Sequence, residues 1–127
     1  MRHLSSELNR RYFQLWNVTQ LAAGVLVLWL IARMPSAAGA RWAVTAMVAI
    51  AGVMLVWLTP AITSIGRTLD FVPRDPPPPA LGRFWTLHAL YLALDACKLA
   101  LGVMATVWIA RGRVVRQAAL FQQPARP

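Results

Sequence analysis

Residues 87–102 read LHALYLALDACKLALG. The run is apolar enough to lie in lipid, yet it carries Asp95 and Lys98 near its middle, with His88 and Tyr91 before them. A single charge at the centre of a membrane helix costs ~2.5–3.5 kcal/mol on insertion scales. Two opposite charges three residues apart share one helix face and can neutralise each other. The stretch therefore reads as a membrane span with an internally compensated ion pair. At ~100° per residue, His88, Tyr91, Asp95, Lys98 and Gly102 share one stripe of the helix. Ala89, Ala93, Ala96 and Ala100 lie nearly opposite.

Composition places the rest of the chain in the same environment. Of 127 residues, 58% are hydrophobic and 13% charged, against about 25% charged in an ordinary soluble domain. Mean hydropathy is +0.52. The formal charge of +9 comes from 13 basic and 4 acidic residues. The arginines cluster at the edges of apolar runs, where anionic headgroups and the positive-inside bias account for them. No basic helix or aromatic–basic motif points to nucleic acid. One cysteine, Cys97, excludes an intrachain disulfide and a cysteine-based zinc site.

Three segments approach or exceed the ~20 apolar residues that a bilayer core requires. They are residues 13–34, 42–59 and 84–110, which predict an all-α integral membrane protein: a hairpin followed by a long third helix. The first is too long and lacks a small-residue cleavage site, so it reads as a span and not as a signal peptide. Trp16 and Trp29, Trp42 and Trp57, and Trp85 and Trp108 flank the three spans in pairs, as interfacial indoles do. Residues 60–83 read as a Pro-rich loop, with Pro76 to Pro79 favouring an extended segment. Residues 111–127 read as a polar tail leaving the membrane, and the first eleven as the start of a short interfacial helix. Six arginines fall on each side of the membrane, so arginine counts alone do not orient the chain.

Function is less legible than fold. No hydrolytic or nucleophilic constellation and no phosphate-cradling loop occurs, so no catalytic and no metal-ligating residue is assigned. Asp95–Lys98 reads first as a structural pair, and a proton path is disfavoured because the other spans supply no carboxylate or histidine. His88 reads as an interfacial hydrogen-bonding residue or, in the alternative, as an axial ligand to haem or a chlorophyll-type pigment. His3 is too remote to complete a bis-histidine site. Cys97 lies off the polar stripe and reads as inert.

Helix three thus offers two faces that favour protein contact. The alanine stripe is expected to pack on the hairpin, through Thr45/Ala49/Gly52 or Asn17/Gln20/Gly24. The stripe of His88, Tyr91, Asp95 and Lys98 is then expected to meet another membrane subunit or a bound cofactor. The other possibility is that Asn17 and Gln20 satisfy the polar stripe and the alanines face lipid.

The order RRYFQLW, then LTPAITSIGR closing a span, then FWTLHALYLALDACKLALG resembles the bacterial domain-of-unknown-function 4149 family, itself related to the eukaryotic transmembrane protein 205-like proteins. The resemblance runs from Leu8 to Trp108. That family's final helix opens with an aromatic residue and Leu-His, matched by Phe84 and Leu87-His88. Tyr91 and Asp95 stand where the family has serine and asparagine, and Pro60 stands at its proline closing the preceding span. The family has four spans with both ends inside; this chain corresponds to the last three, which implies a cytoplasmic C-terminus. Together these readings predict a non-catalytic accessory subunit of a bacterial inner-membrane complex, respiratory or photosynthetic, in contact with lipids and other membrane subunits. The alternatives are a haem- or pigment-contacting protein using His88, and a small homo-oligomeric transporter or metal-tolerance protein.

Overall fold

The inward seam of the last helix sets the architecture. Leu87, Tyr91, Leu94, Lys98, Leu101 and Ala105 follow one another at alternating intervals of four and three residues, and each is buried or half-buried. That spacing is the knobs-into-holes repeat of left-handed helix packing. Phe13, Asn17, Gln20, Gly24, Leu28 and Ile31 form the inward row of the first helix at intervals of three or four residues, with two consecutive fours at Gly24.

A computed structural model describes residues 2–34, 38–70, 72–73 and 75–121, with the side chains of 2–6, 116 and 118–121 excepted. All regular structure among the described residues is helical: α1 (Arg2–Ala32), α2 (Ala38–Val53), a π turn (Met54–Leu58), α3 (Thr59–Leu69) and α4 (Ala80–Phe121). Three rods result that are long and apolar enough to cross a membrane, within Glu7–Ala32, Ala38–Leu69 and Ala80–Val115. The protein is therefore an all-α, multi-pass membrane protein.

The helices outrun the expected boundaries in five places, one of them the start of α4, at Ala80 and not Phe84. The N-terminal segment is continuous with the first span in one 31-residue helix. The second rod starts at Ala38 and not Trp42, because this turn is packed: Ala40 is fully buried and Gly39 lies against the Trp108 ring. The rod also continues through Pro60, so the first part of the expected loop 60–83 is helix to Leu69. Proline lacks an N–H and its ring opposes the carbonyl four residues back. The π turn just before it absorbs that conflict, with the Thr59 N–H bonding the Met54 carbonyl, and Pro60 then sits in the first turn of α3, where proline is tolerated. Finally, α4 runs to Phe121, so residues 111–121 of the expected tail are helical. The remaining tail, 122–127, lies outside the described residues.

Two apolar clusters hold the rods together by burying side chains against one another. One gathers Ile31, Ala40, Ala43, Val44 and Ala105 at the end where α1 stops and α2 begins. The other gathers Met54, Leu58 and Tyr91, with Phe13 and Ile62 against them. Close approach at mid-membrane depends on Gly24, where an added Cβ would stand 2.8 Å from Val48 Cγ2. Gly52 has open space around its would-be Cβ. Gly24→Leu should therefore force α1 from α2 and lower stability by about 1–3 kcal/mol, the range for overpacked sites. Gly52→Ala should leave the melting temperature in detergent unchanged or slightly raised.

Candidate functional site

The polar residues of the three rods meet in a single bridge. Asn17, fully buried on α1, donates through Nδ2 to Thr59 Oγ1 at 2.8 Å. Its Oδ1 accepts from the Tyr91 hydroxyl at 3.2 Å. One amide thus ties α1 to both α3 and α4. A turn further along, Lys98 Nζ lies 2.7 Å from Asp95 Oδ1 and also donates to Gln20 Oε1. Among the described residues no buried side-chain donor or acceptor lacks a partner. In hydrocarbon an unmatched polar group costs several kcal/mol, so this closure is what allows a lysine to be 6% exposed within a membrane span.

This arrangement decides between the two expectations. Tyr91 and Lys98 are buried against their own chain, with Asn17 and Gln20 as their partners, while Asp95 is turned partly outward at the edge of the seam. Ala89, Ala93, Ala96 and Ala100 do not pack on the hairpin; all four are exposed on the outer face of α4. The cause is that burial follows the 3,4-spaced seam of Leu87, Leu94 and Leu101, which takes in two polar positions and leaves His88, Asp95 and Gly102 on its flank.

His88 occupies different surroundings. Its ring lies parallel to Phe84, with centroids 6.1 Å apart, and edge-on to Trp85 at 6.0 Å. It borders a cavity of about 660 Å³ between the start of α4, α3 and the first half of α1. The floor is Phe13, Thr59 and Tyr91, the base of the polar bridge; the walls are Ile62, Leu69, Leu81 and Phe84. Asn9, Arg10 and Asp70 stand at its polar end, with Val72, Pro73 and Pro78 beside them.

Sequence reasoning missed the charged rim. Arg10 Nη1 lies 2.8 Å from Glu7 Oε2, Arg10 Nη2 lies 2.5 Å from Asp70 Oδ2, and Arg67 reaches Glu7 Oε1 at 3.4 Å. Glu7/Arg10 and Arg67/Asp70 are each three residues apart, a spacing that signals pairing only on a helix. With residues 60–70 read as a loop, half of that signal was invisible.

Among the described residues no three histidine, cysteine, aspartate or glutamate side chains gather as a metal site. No protein-family model matches the chain, and comparison with curated proteins and with solved structures finds no match.

The bridge makes a quantitative statement about Asp95. Asp95→Ala leaves the Lys98 ammonium with Gln20 alone and should cost about 3 kcal/mol, at the low end for a broken buried pair because Asp95 is partly exposed. Asp95→Ala/Lys98→Met removes both charges and should recover most of that loss. Equal melting temperatures for the single and double variants would show that Asp95 acts independently of Lys98.

Proposed function

We propose that the protein is a non-catalytic accessory subunit of a larger membrane assembly and that it docks through the outer face of α4. The observation that carries this reading is the exposure of Ala89, Ala93, Ala96 and Ala100 along one side of a helix whose polar groups are already satisfied within the chain. Small side chains let a second helix approach to backbone contact, which is the main source of helix association in lipid. The bridge and apolar clusters are complete without that face, so it is available to a partner. The resemblance to the domain-of-unknown-function 4149 family supports a bacterial inner-membrane setting.

Charge distribution supports a cytoplasmic C-terminus. Six arginines on the N-terminal side share it with three carboxylates, Glu7, Asp70 and Asp75, whereas the six on the C-terminal side share it with none. Acidic residues weigh little in insertion itself. An anionic cytoplasmic leaflet nevertheless attracts the side that carries arginines and no carboxylate. A cysteine at the exposed position Gln117, in a Cys97→Ser background, should resist a membrane-impermeant maleimide in intact cells and react after lysis.

Docking is tested through Cys97, which is exposed and neighbours the alanine face. A membrane-permeant bismaleimide applied to native membranes should join Cys97 to a different polypeptide. The adduct should vanish in Cys97→Ser and in Ala93→Leu/Ala96→Leu, while the melting temperature of the isolated leucine variant stays at the wild-type value. Cross-linking only to further copies of this chain would support a homo-oligomer and defeat the accessory reading.

A further inference from the structure

We propose that the cavity beneath Arg10 and Asp70 is a binding site for one phospholipid with a zwitterionic, phosphate–ammonium headgroup. The site is separate from the docking face: at ~100° per residue, Leu81, Phe84 and His88 lie about a third of a turn round α4 from the alanines. Its volume of about 660 Å³ falls within the ~300–1,000 Å³ of ordinary ligand sites. Its depth follows from the helices that line it. Thr59 and Asp70 are eleven residues apart on one rod, or ~16 Å at 1.5 Å per residue. The deep end points toward mid-membrane and is lined by Phe13, Ile62 and Tyr91; the shallow end carries Asn9, Arg10 and Asp70, with Phe84 beside Arg10. A molecule that fills this space is apolar at one end and charged at the other.

The rim selects among such molecules. Among the described residues it carries a chain of ion pairs, Arg67–Glu7–Arg10–Asp70, of which Arg10 and Asp70, 2.5 Å apart, border the cavity. Arg10 is also held by Glu7 at 2.8 Å, so its charge is already matched and offers little net attraction to an anion. A phosphate–ammonium dipole fits both members at once, the phosphate oxygens accepting from Arg10 or the Asn9 amide and the ammonium donating to Asp70. The rings of Phe84 and Trp85 add a surface that favours the cation. The His88 imidazole borders the chain of the ligand at ester depth. Gly66 keeps the wall open: a Cβ there would meet Arg10 Nη2 at 3.5 Å and Phe84 Cε2 at 3.6 Å, ordinary contact. A larger side chain at that point would extend into the cavity without straining the backbone.

The experiment uses the full chain, delipidated in detergent and titrated with dioctanoyl-phosphatidylethanolamine or dioctanoyl-phosphatidylglycerol, with bound lipid counted by native mass spectrometry. The wild type should take up one ethanolamine lipid saturably, with a preference of about tenfold over the glycerol lipid, the scale of one charge-assisted hydrogen bond. Gly66→Leu should abolish that saturable binding at an unchanged melting temperature. Asp70→Asn should bind the ethanolamine lipid about tenfold more weakly and the glycerol lipid more tightly, because the ammonium loses its partner and Arg10 loses a carboxylate. If Gly66→Leu melts early, the Asp70→Asn result decides. Non-saturable uptake of both lipids, a wild-type preference for the glycerol lipid, or unaltered selectivity in Asp70→Asn would overturn the proposal.

Discussion

A lysine ammonium held in hydrocarbon is the constraint around which the helices are arranged. Lys98 reaches from α4, which packs on the second rod, across to α1, so its charge has to be met there, by Asp95 from its own helix and Gln20 from α1. Those two contacts, with the packing of α4 on the second rod, set how far α4 is turned about its axis, and that rotation brings Tyr91, two turns before Lys98, to Asn17. Asn17 in turn reaches Thr59 on the far side of the π turn. Buried ion pairs are weak as sources of net stability, and their best-attested use is to set register. Sliding α4 by one turn would strand several polar groups together, whereas leucine-only seams would tolerate the slip.

The same arrangement divides the molecule into an inner and an outer half along the membrane normal. Toward the C-terminal side the rods pack through small and aliphatic residues, Ala40, Ala43, Val44 and Ala105, with little room between them. Toward the N-terminal side they diverge around Phe13, Ile62 and Phe84, and the rim is laced by ion pairs instead of apolar contacts. The polar bridge is the floor where the divergence begins. A cavity at this level follows from joining one tightly packed end to one held by long charged side chains.

Much of the fold is legible in the residues, because span length and hydropathy are local properties. The Asp95–Lys98 pair is legible for the same reason, since a spacing of three on a helix implies contact. What governs Tyr91 and Lys98 is not local in that sense. Grouping residues by polarity put His88, Tyr91, Asp95 and Lys98 on one functional stripe, but burial is decided by where Leu87, Leu94 and Leu101 must go. The continuation of the second rod past Pro60 depended on a π turn that no residue of MLVWL announces. Arg10 and Asp70, sixty residues apart, meet only because of that continuation.

The tryptophans carry a consequence for the surrounding membrane. Trp16 and Trp29 are thirteen residues apart on α1 and Trp42 and Trp57 fifteen apart on the second rod, or only ~20 Å and ~22 Å along the helix axis. Trp85 and Trp108 on α4 are twenty-three apart, or ~35 Å. All six rings are exposed, so each pair presents its own preferred headgroup spacing to the lipid beside it. A bilayer meeting the hairpin is asked to thin, while one meeting α4 is asked to thicken, at fractions of a kcal/mol per Å. The longer spacing on α4 is met by tilting that helix or by thickening the lipid beside it, whereas the hairpin can be met only by thinner lipid or by indoles seated short of the headgroups.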